Sequence, residues 1–280
     1  MTIKTVLITG CSSGFGKLTA KHFAQKGWNV VATMRSPHKE TELIGLDNVL
    51  VLPLDMTDPQ SVTDAVGESM ARFGRIDALV NNAGISGMGV FEQWDEPAIN
   101  ALFETNVFGL IRMTQAVLPI MRQQGDGAIV NVSSLAGLVG SPFSSVYSAS
   151  KFAVEELTEA RSLEYAPFNI QFKAVAPGAY ETSLYSSINH RILTNGDAQV
   201  QEYSAQCVAK MNETIAEMMQ QGNQQADPAE VAEKIYQCVT ESTPVHNVSG
   251  VDAQQVLEMK QTLPKAALLA TLSQVLVPSR

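Results

Sequence analysis

Over the first 180 residues, short β-branched runs alternate with longer stretches in which apolar positions recur at helical spacing. The runs Thr5–Thr9, Val30–Thr33, Val49–Pro53, Ala78–Asn81, Ala128–Ser133 and Ile170–Ala176 are apolar almost throughout. A strand with one face in water alternates, whereas a strand covered on both faces stays apolar along its length. The pattern therefore predicts parallel strands joined by crossover helices at Lys17–Lys26, Pro59–Phe73, Glu96–Arg122 and Val146–Glu164, with a further helix at Pro228–Glu241. Pro59 and Pro228 each follow an Asp that can cap a helix N-terminus, which marks two of the starts. The fold class that results is α/β, a doubly wound parallel sheet with helices on both faces.

After Pro177-Gly178 the texture changes. Residues 183–227 are polar, rich in Gln and Asn and dotted with Tyr and Met. They predict an insertion with one or two short helices, roughly Ala198–Gln220. A segment this long inside a compact fold serves more often as a lid over a site than as a linker. The plainer alternative is a solvated surface excursion. The tail, residues 256–280, carries an apolar stripe that either packs on the core or forms an interface. No repeat divides the chain, so one domain over 1–280 is expected.

Charge narrows the partners. Nineteen Lys and Arg against 28 Asp and Glu give −9, so the chain has no excess cation with which to displace counterions, and nucleic acid is not an expected ligand. Cys11, Cys207 and Cys238 are widely spaced and form neither a CxxC nor a zinc pattern, which points to a reducing, cytoplasmic setting and to no metal. The most apolar stretch, Ala266–Val277, is too short to span a bilayer, and the N-terminal apolar run is too short for a secretory leader. In that setting the N-x-S/T triplets at Asn131, Asn212 and Asn247 are chance matches.

The segment Gly10-Cys11-Ser12-Ser13-Gly14-Phe15-Gly16 lies between the first strand and the first helix. Its glycines let the backbone turn and approach a ligand, and the helix N-terminus beyond offers unpaired N–H groups to a pyrophosphate. A P-loop is excluded, because five residues separate Gly10 from Gly16-Lys17 and Leu18 replaces the magnesium-binding hydroxyl. Gly10-Cys11-Ser12-Ser13-Gly14 also fits the hydrolase nucleophile elbow, but it follows the first strand, and none of His22, His38, His190 and His246 stands out as its partner. Dinucleotide binding fits both spacing and place. The second strand ends in Met34-Arg35, where an NAD enzyme usually has a carboxylate for the ribose. Arginine can pair with a 2′-phosphate through two hydrogen bonds, so the expected cofactor is NADP(H), with Arg35 as the discriminator.

Tyr147 and Lys151 are four apart, which on a helix places them on one face. Ser134 ends a strand thirteen residues earlier, Asn81-Asn82-Ala83-Gly84 ends another, and Asn106 lies in the helix after that. Singly, each has an ordinary structural explanation: a strand-end hydroxyl, a packed ring, an amide serving a neighbouring strand. Jointly, TGCSSGFG (9–16), LDMTD (54–58), NNAG (81–84), Asn106, IVNVSS (129–134), YSASK (147–151) and PGAYET (177–182) make a pattern that resembles the short-chain dehydrogenase/reductases over about the first 185 residues. The combination of GCSSGFG, ATMR and PGAYET looks most like the branch of retinol- and 17β-hydroxysteroid-dehydrogenase-like enzymes.

That resemblance implies a Rossmann-type fold and assigns roles by position. Tyr147 would be the general acid or base. Lys151 would bind the nicotinamide ribose and lower the Tyr147 pKa, Ser134 would hold the substrate oxygen, and Asn106 would support a relay water. Gly10, Ser12, Ser13, Gly14, Phe15 and Gly16 would cradle the phosphates. Asp55 and Met56 would flank the adenine, and Asn82, Ala83 and Gly84 would line the ribose. Pro177 and Gly178 would back the nicotinamide, and Thr182 would meet its carboxamide. The expected substrate is a hydrophobic ketone, aldehyde or secondary alcohol, held by Ile85–Met88, Leu135, Val139–Phe143, Tyr180, Leu184, Tyr185 and the lid, with His190 a further candidate. The family also implies a homodimer or homotetramer through the helices around Asn106 and Tyr147. The competing function is a non-catalytic NADP(H)-binding redox sensor, which would have no need of Asn106, Ser134, Tyr147 and Lys151 together.

Overall fold

Seven strands pair side by side, all parallel, in a computed structural model that describes residues 2–180, 193–221 and 227–278. They are β1 (Thr5–Thr9), β2 (Asn29–Met34), β3 (Val49–Pro53), β4 (Ala78–Asn81), β5 (Gly127–Val132), β6 (Ile170–Pro177) and β7 (His246–Ser249). Their order in the sheet is β3-β2-β1-β4-β5-β6-β7. The chain thus winds outward from β1 in one direction, returns, and continues from β4 in the other, which is the doubly wound Rossmann arrangement.

Helices cover both faces, as the apolar strands require. Among the described residues they are α1 (Gly14–Gln25), α2 (Pro59–Phe73), α3 (Glu96–Phe103), α4 (Leu110–Gln124), α5 (Ser145–Tyr165), α6 (Ala198–Gln221), α7 (Ala229–Thr240), α8 (Val251–Thr262) and α9 (Lys265–Leu276). Val6 and Ile8 of β1 point to one side with Phe23 of α1 and Val231 and Ile235 of α7. Leu7, between them, points to the other with Val62 and Val66 of α2 and Met113, Val117 and Met121 of α4. The period of two along the strand therefore feeds two cores. A buried amide ladder ties the second face together. Asn81 Nδ2 donates to Asn131 Oδ1 at 2.9 Å and to Thr114 Oγ1 at 3.1 Å, and Asn131 Nδ2 donates to Thr158 Oγ1 at 2.8 Å.

Several elements differ from the sequence reading. The single helix expected over Glu96–Arg122 is α3 and α4 joined by a π turn at Glu104–Gly109. Residues 198–221 form one helix of 24 residues rather than short pieces. Asp58 caps α2 by accepting from Gln60 N at 2.9 Å. Asp227 accepts from Ala229 N at 2.9 Å, but Pro228 itself is the N-cap of α7. The tail carries the second half of α8 and all of α9, and none of the described helices is long and apolar enough to cross a membrane.

The hydrophobic pattern does not predict strand β7. His246-Asn247-Val248-Ser249 has one apolar residue, and only its pairing with Ala174–Pro177 of β6 makes it a strand. His246 fastens this edge to α5, with Nδ1 2.6 Å from Glu155 Oε2 and Nε2 2.9 Å from Glu159 Oε2. Its pKa is raised above the ordinary 6.5, chiefly by the hydrogen bond to Glu155. The stabilisation is therefore complete below pH 6.5 and is lost as pH climbs through the raised folded value. Thermal melts of the wild type and His246→Gln should differ most at pH 6 and converge at pH 9; an equal gap at both pH values would show that charge on this ring does not hold the edge.

Candidate active site

Strands β1 and β4 are neighbours whose following loops turn in opposite directions, and the crevice between those loops is where ligands bind in open α/β sheets. Thr9 and Asn82 clasp it. Thr9 Oγ1 accepts from Asn82 N and Ala83 N, both at 3.0 Å. Asn82 Nδ2 returns to Thr9 O at 2.8 Å and Gly10 O at 3.1 Å. Gly16 allows the clasp to close, because a Cβ there would overlap the Gly10 carbonyl and the Asn82 amide. Beneath the loop, Cys11 is fully buried and its thiol points at Ile8 O, 3.3 Å away. Burial pushes that thiol up to about 12, so it stays protonated and inert.

The end of β5 and the start of α5 bring the second group of residues together. Ser134 accepts from Ala136 N at 3.2 Å, capping the turn that follows the strand, and it also faces Tyr147. Lys151 sits one turn beyond Tyr147 on α5, its Nζ 5.8 Å from the ring centroid and 2.9 Å from Val132 O. Burial lowers the Lys151 pKa to about 8, with the Glu155 charge opposing. Burial also raises the Tyr147 phenol above 10, only partly offset by its hydrogen bond to Ser134. This departs from the lowered Tyr147 pKa that the sequence resemblance implies. In the protein by itself, removal from water outweighs any help from a lysine whose own charge is discouraged.

A cavity of about 710 Å³ runs past both groups. It is lined by Gly10, Ser12, Ser13, Gly14 and Phe15, by Arg35, Asp55 and Met56, by Asn82, Ala83 and Gly84, and by Ser134, Tyr147, Lys151, Pro177 and Gly178. Two expected site residues stand behind the wall. Gly16 is packed against the clasp, and Asn106, 2% exposed in the π turn, holds Ile85 by both backbone groups. Its Oδ1 accepts from Ile85 N at 2.8 Å and its Nδ2 donates to Ile85 O at 2.9 Å, with a second bond to Ser150 Oγ at 3.2 Å. Thr182, Leu184, Tyr185 and His190 lie outside the described residues.

At the far end the expected Ile85–Met88, Leu135, Val139, Gly140 and Ser141 line the cavity, whereas Pro142 and Phe143 do not. Tyr180 lines it but commits its hydroxyl to Glu230 at 3.1 Å and Ser249 at 3.0 Å, with its ring edge-on to Phe15. Met211 of α6 lines the cavity from within the expected lid, whereas sequence reasoning missed Asp252, Val256 and Met259 of α8, and Leu272, Val275 and Leu276 of α9. The tail's apolar stripe was the available signal, though it did not say what the stripe covers. Asp252 also anchors the loop after β6: its Oδ2 accepts from Ala179 N at 2.6 Å, and its carboxylate fills the space where a side chain on Gly178 would lie.

Residues 4–192 match the family model described as short chain dehydrogenase. The chain belongs to the short-chain dehydrogenase family. It is 36% identical over 249 residues to an uncharacterized oxidoreductase, YusZ, of Bacillus subtilis (86% of each chain), and 42% identical over 194 residues to a 3-ketodihydrosphingosine reductase of Bacteroides thetaiotaomicron (69% of this chain, 70% of that one). A retinol dehydrogenase 8 of Bos taurus is 38% identical over 201 residues, 68% of this chain and 64% of the other. Among solved structures, a short-chain dehydrogenase from Streptomyces avermitilis superposes with a TM-score of 0.80 at 33% identity, covering 98% of this chain and 96% of that one. ElxO with NADP bound gives 0.72 at 32% identity, over 89% of this chain and 97% of that one. A 3-ketoacyl-(acyl-carrier-protein) reductase from Brucella melitensis complexed with NADH gives 0.75 at 27%, over 88% and 96%. For this short-chain dehydrogenase the tightest steric point of the loop is Gly16. Gly16→Ala should lower stability by about 1–3 kcal/mol, the usual cost of overpacking, read as a fall in the urea midpoint. An unchanged midpoint would show that the clasp between Thr9 and Asn82 yields freely.

Proposed function

We propose that the protein transfers a hydride between NADP(H) and a hydrophobic ketone, aldehyde or secondary alcohol, with Tyr147 as the general acid in reduction and the base in oxidation. The observation that carries this reading is the convergence of Ser134, Tyr147 and Lys151 at the junction of a glycine-lined cradle and an apolar chamber. The cradle fits a dinucleotide: Gly10, Ser12, Ser13 and Gly14 line the cavity where the N-terminus of α1 opens onto it. A bound nicotinamide supplies the hydride. Ser134 donates to the substrate oxygen and stabilises the charge that develops there, and Tyr147 delivers the proton. Lys151, held on Val132 O, orients the cofactor ribose and keeps positive charge beside the phenol. Asn106 acts by fixing the Ile85 backbone at the cavity wall.

Arg35 supports NADP(H) over NAD(H). It is exposed at the cavity rim, and Met34 before it is buried and offers no carboxylate. The apolar wall of Met88, Met211, Val256, Met259, Leu272, Val275 and Leu276 supports a hydrophobic substrate, with α6 as part of the lid. Phe108, Leu163 and Phe168 are 49%, 74% and 43% exposed on or beside the helices that carry Asn106 and Tyr147, which supports assembly of copies through that side.

Fluorescence titration with NADPH and NADH in parallel tests the cofactor. Arg35→Asp should weaken NADPH by roughly 10–100-fold and NADH little, because a charge-assisted bond is replaced by repulsion. Equal weakening of both would remove Arg35 from the phosphate site. A screen of apolar ketones and aldehydes with NADPH then tests the chemistry. Tyr147→Phe should cut turnover by about 10²–10⁴-fold with cofactor affinity kept; reduction at the wild-type rate would overturn the mechanism.

A further inference from the structure

Behind Lys151, one turn further along α5, lies Glu155, and residues four apart leave the same face of a helix. Glu155 is 4% exposed. Its Oε2 is 2.6 Å from His246 Nδ1, while its Oε1 is buried without a hydrogen-bond partner among the described residues. A buried carboxylate with one oxygen unbonded is costly unless cations stand near; His246 is one, half-exposed at the sheet edge, and the buried cation one turn back on this face is Lys151. We propose that Glu155, held in place by His246, is a positioning residue for the reaction, the fixed counter-charge that keeps Lys151 an ammonium while Tyr147 exchanges its proton with substrate. The inference rests on the roles proposed above for Tyr147 and Lys151.

The other charged groups around Lys151 and Glu155 are engaged elsewhere or face away. On α5 the neighbours are Tyr147 and, at the surface, Glu159, which shares His246. From α8, Lys260 lies over the Phe152 ring at 5.8 Å, and Asp252 is engaged with Ala179 N. From β5 the contact is the neutral Val132 carbonyl, and from the π turn it is the neutral Asn106 through Ser150. Lys173 of β6 donates to Thr243 O and acts on Cys238, on the α7 side of the sheet. Burial by itself drives the Lys151 ammonium toward its neutral form, and the Glu155 charge is what opposes it. An edge-strand histidine bonded to a buried carboxylate thus stands one helical turn behind the site lysine, which itself stands one turn behind Tyr147.

The test follows the ¹³Cε resonance of Lys151 through a pH titration of the full chain, assigned by its loss in Lys151→Met. NADPH affinity is measured alongside by fluorescence. In Glu155→Gln the Lys151 midpoint should fall by about one pH unit, a tenfold change in the proton concentration at half-titration. NADPH should then bind several-fold more weakly at pH 8 than to the wild type, and Glu155→Asp should restore most of both effects. A purely structural Glu155 would alter melting without moving the midpoint. An unmoved midpoint in a folded Glu155→Gln protein overturns the proposal. If the midpoint moves but NADPH affinity is the same in all variants, Lys151→Met included, the assignment of Lys151 to the cofactor is what fails, and the proposal falls with it.

Discussion

Parallel strands buried on both faces can offer chemistry only where they end, and this protein depends on how the ends of β1 and β4 are held. The sheet reverses direction between these two strands, so their loops part and leave a crevice. A crevice of bare backbone would leave donors and acceptors unpaired. Thr9 and Asn82 satisfy them across the gap with one hydroxyl and one amide. That exchange fixes the glycine-rich loop, the first turn of α1 and the Asn82–Gly84 segment relative to one another. The Asn81–Asn131–Thr158 ladder extends the same principle to β5 and α5, and so to the helix that carries Tyr147 and Lys151.

Burial then sets the electrostatics. On one face of α5 a phenol is pushed toward its protonated form and a lysine toward its neutral form, because both lose water. The charge that chemistry needs at this place must therefore be supported from outside the pair. The proposed function supplies one source, a nicotinamide on the cavity side. The other, on the proposal above, is the Glu155–His246 pair one turn further along α5.

The chamber owes its shape to elements that have no strong local signature. Helices α8 and α9 close it, with Leu272, Val275 and Leu276 facing the cavity, while Asp252 at the start of α8 pins the loop after β6. The same loop is held from the other side, where Gly178 N donates to the Ser249 carbonyl of β7 at 2.8 Å. Edge strand, loop and tail helix thus support one another.

Read alone, the sequence yields six apolar strands, most of the helices between them and the order of the motifs along the chain, because burial on both faces and tight turns at strand ends each demand particular residues at short range. TGCSSGFG, NNAG, the Ser134 strand end and the Tyr147–Lys151 pair were legible for that reason. The rest depends on contacts between residues far apart in the chain. β7 is polar and becomes a strand through its partner β6. Asn106 reads as a site residue but spends its amide on Ile85, since a π turn aims it there. The tail's stripe was visible, but its partner was not: an apolar side chain records that it will be buried, and what it is buried against depends on residues distant in the chain.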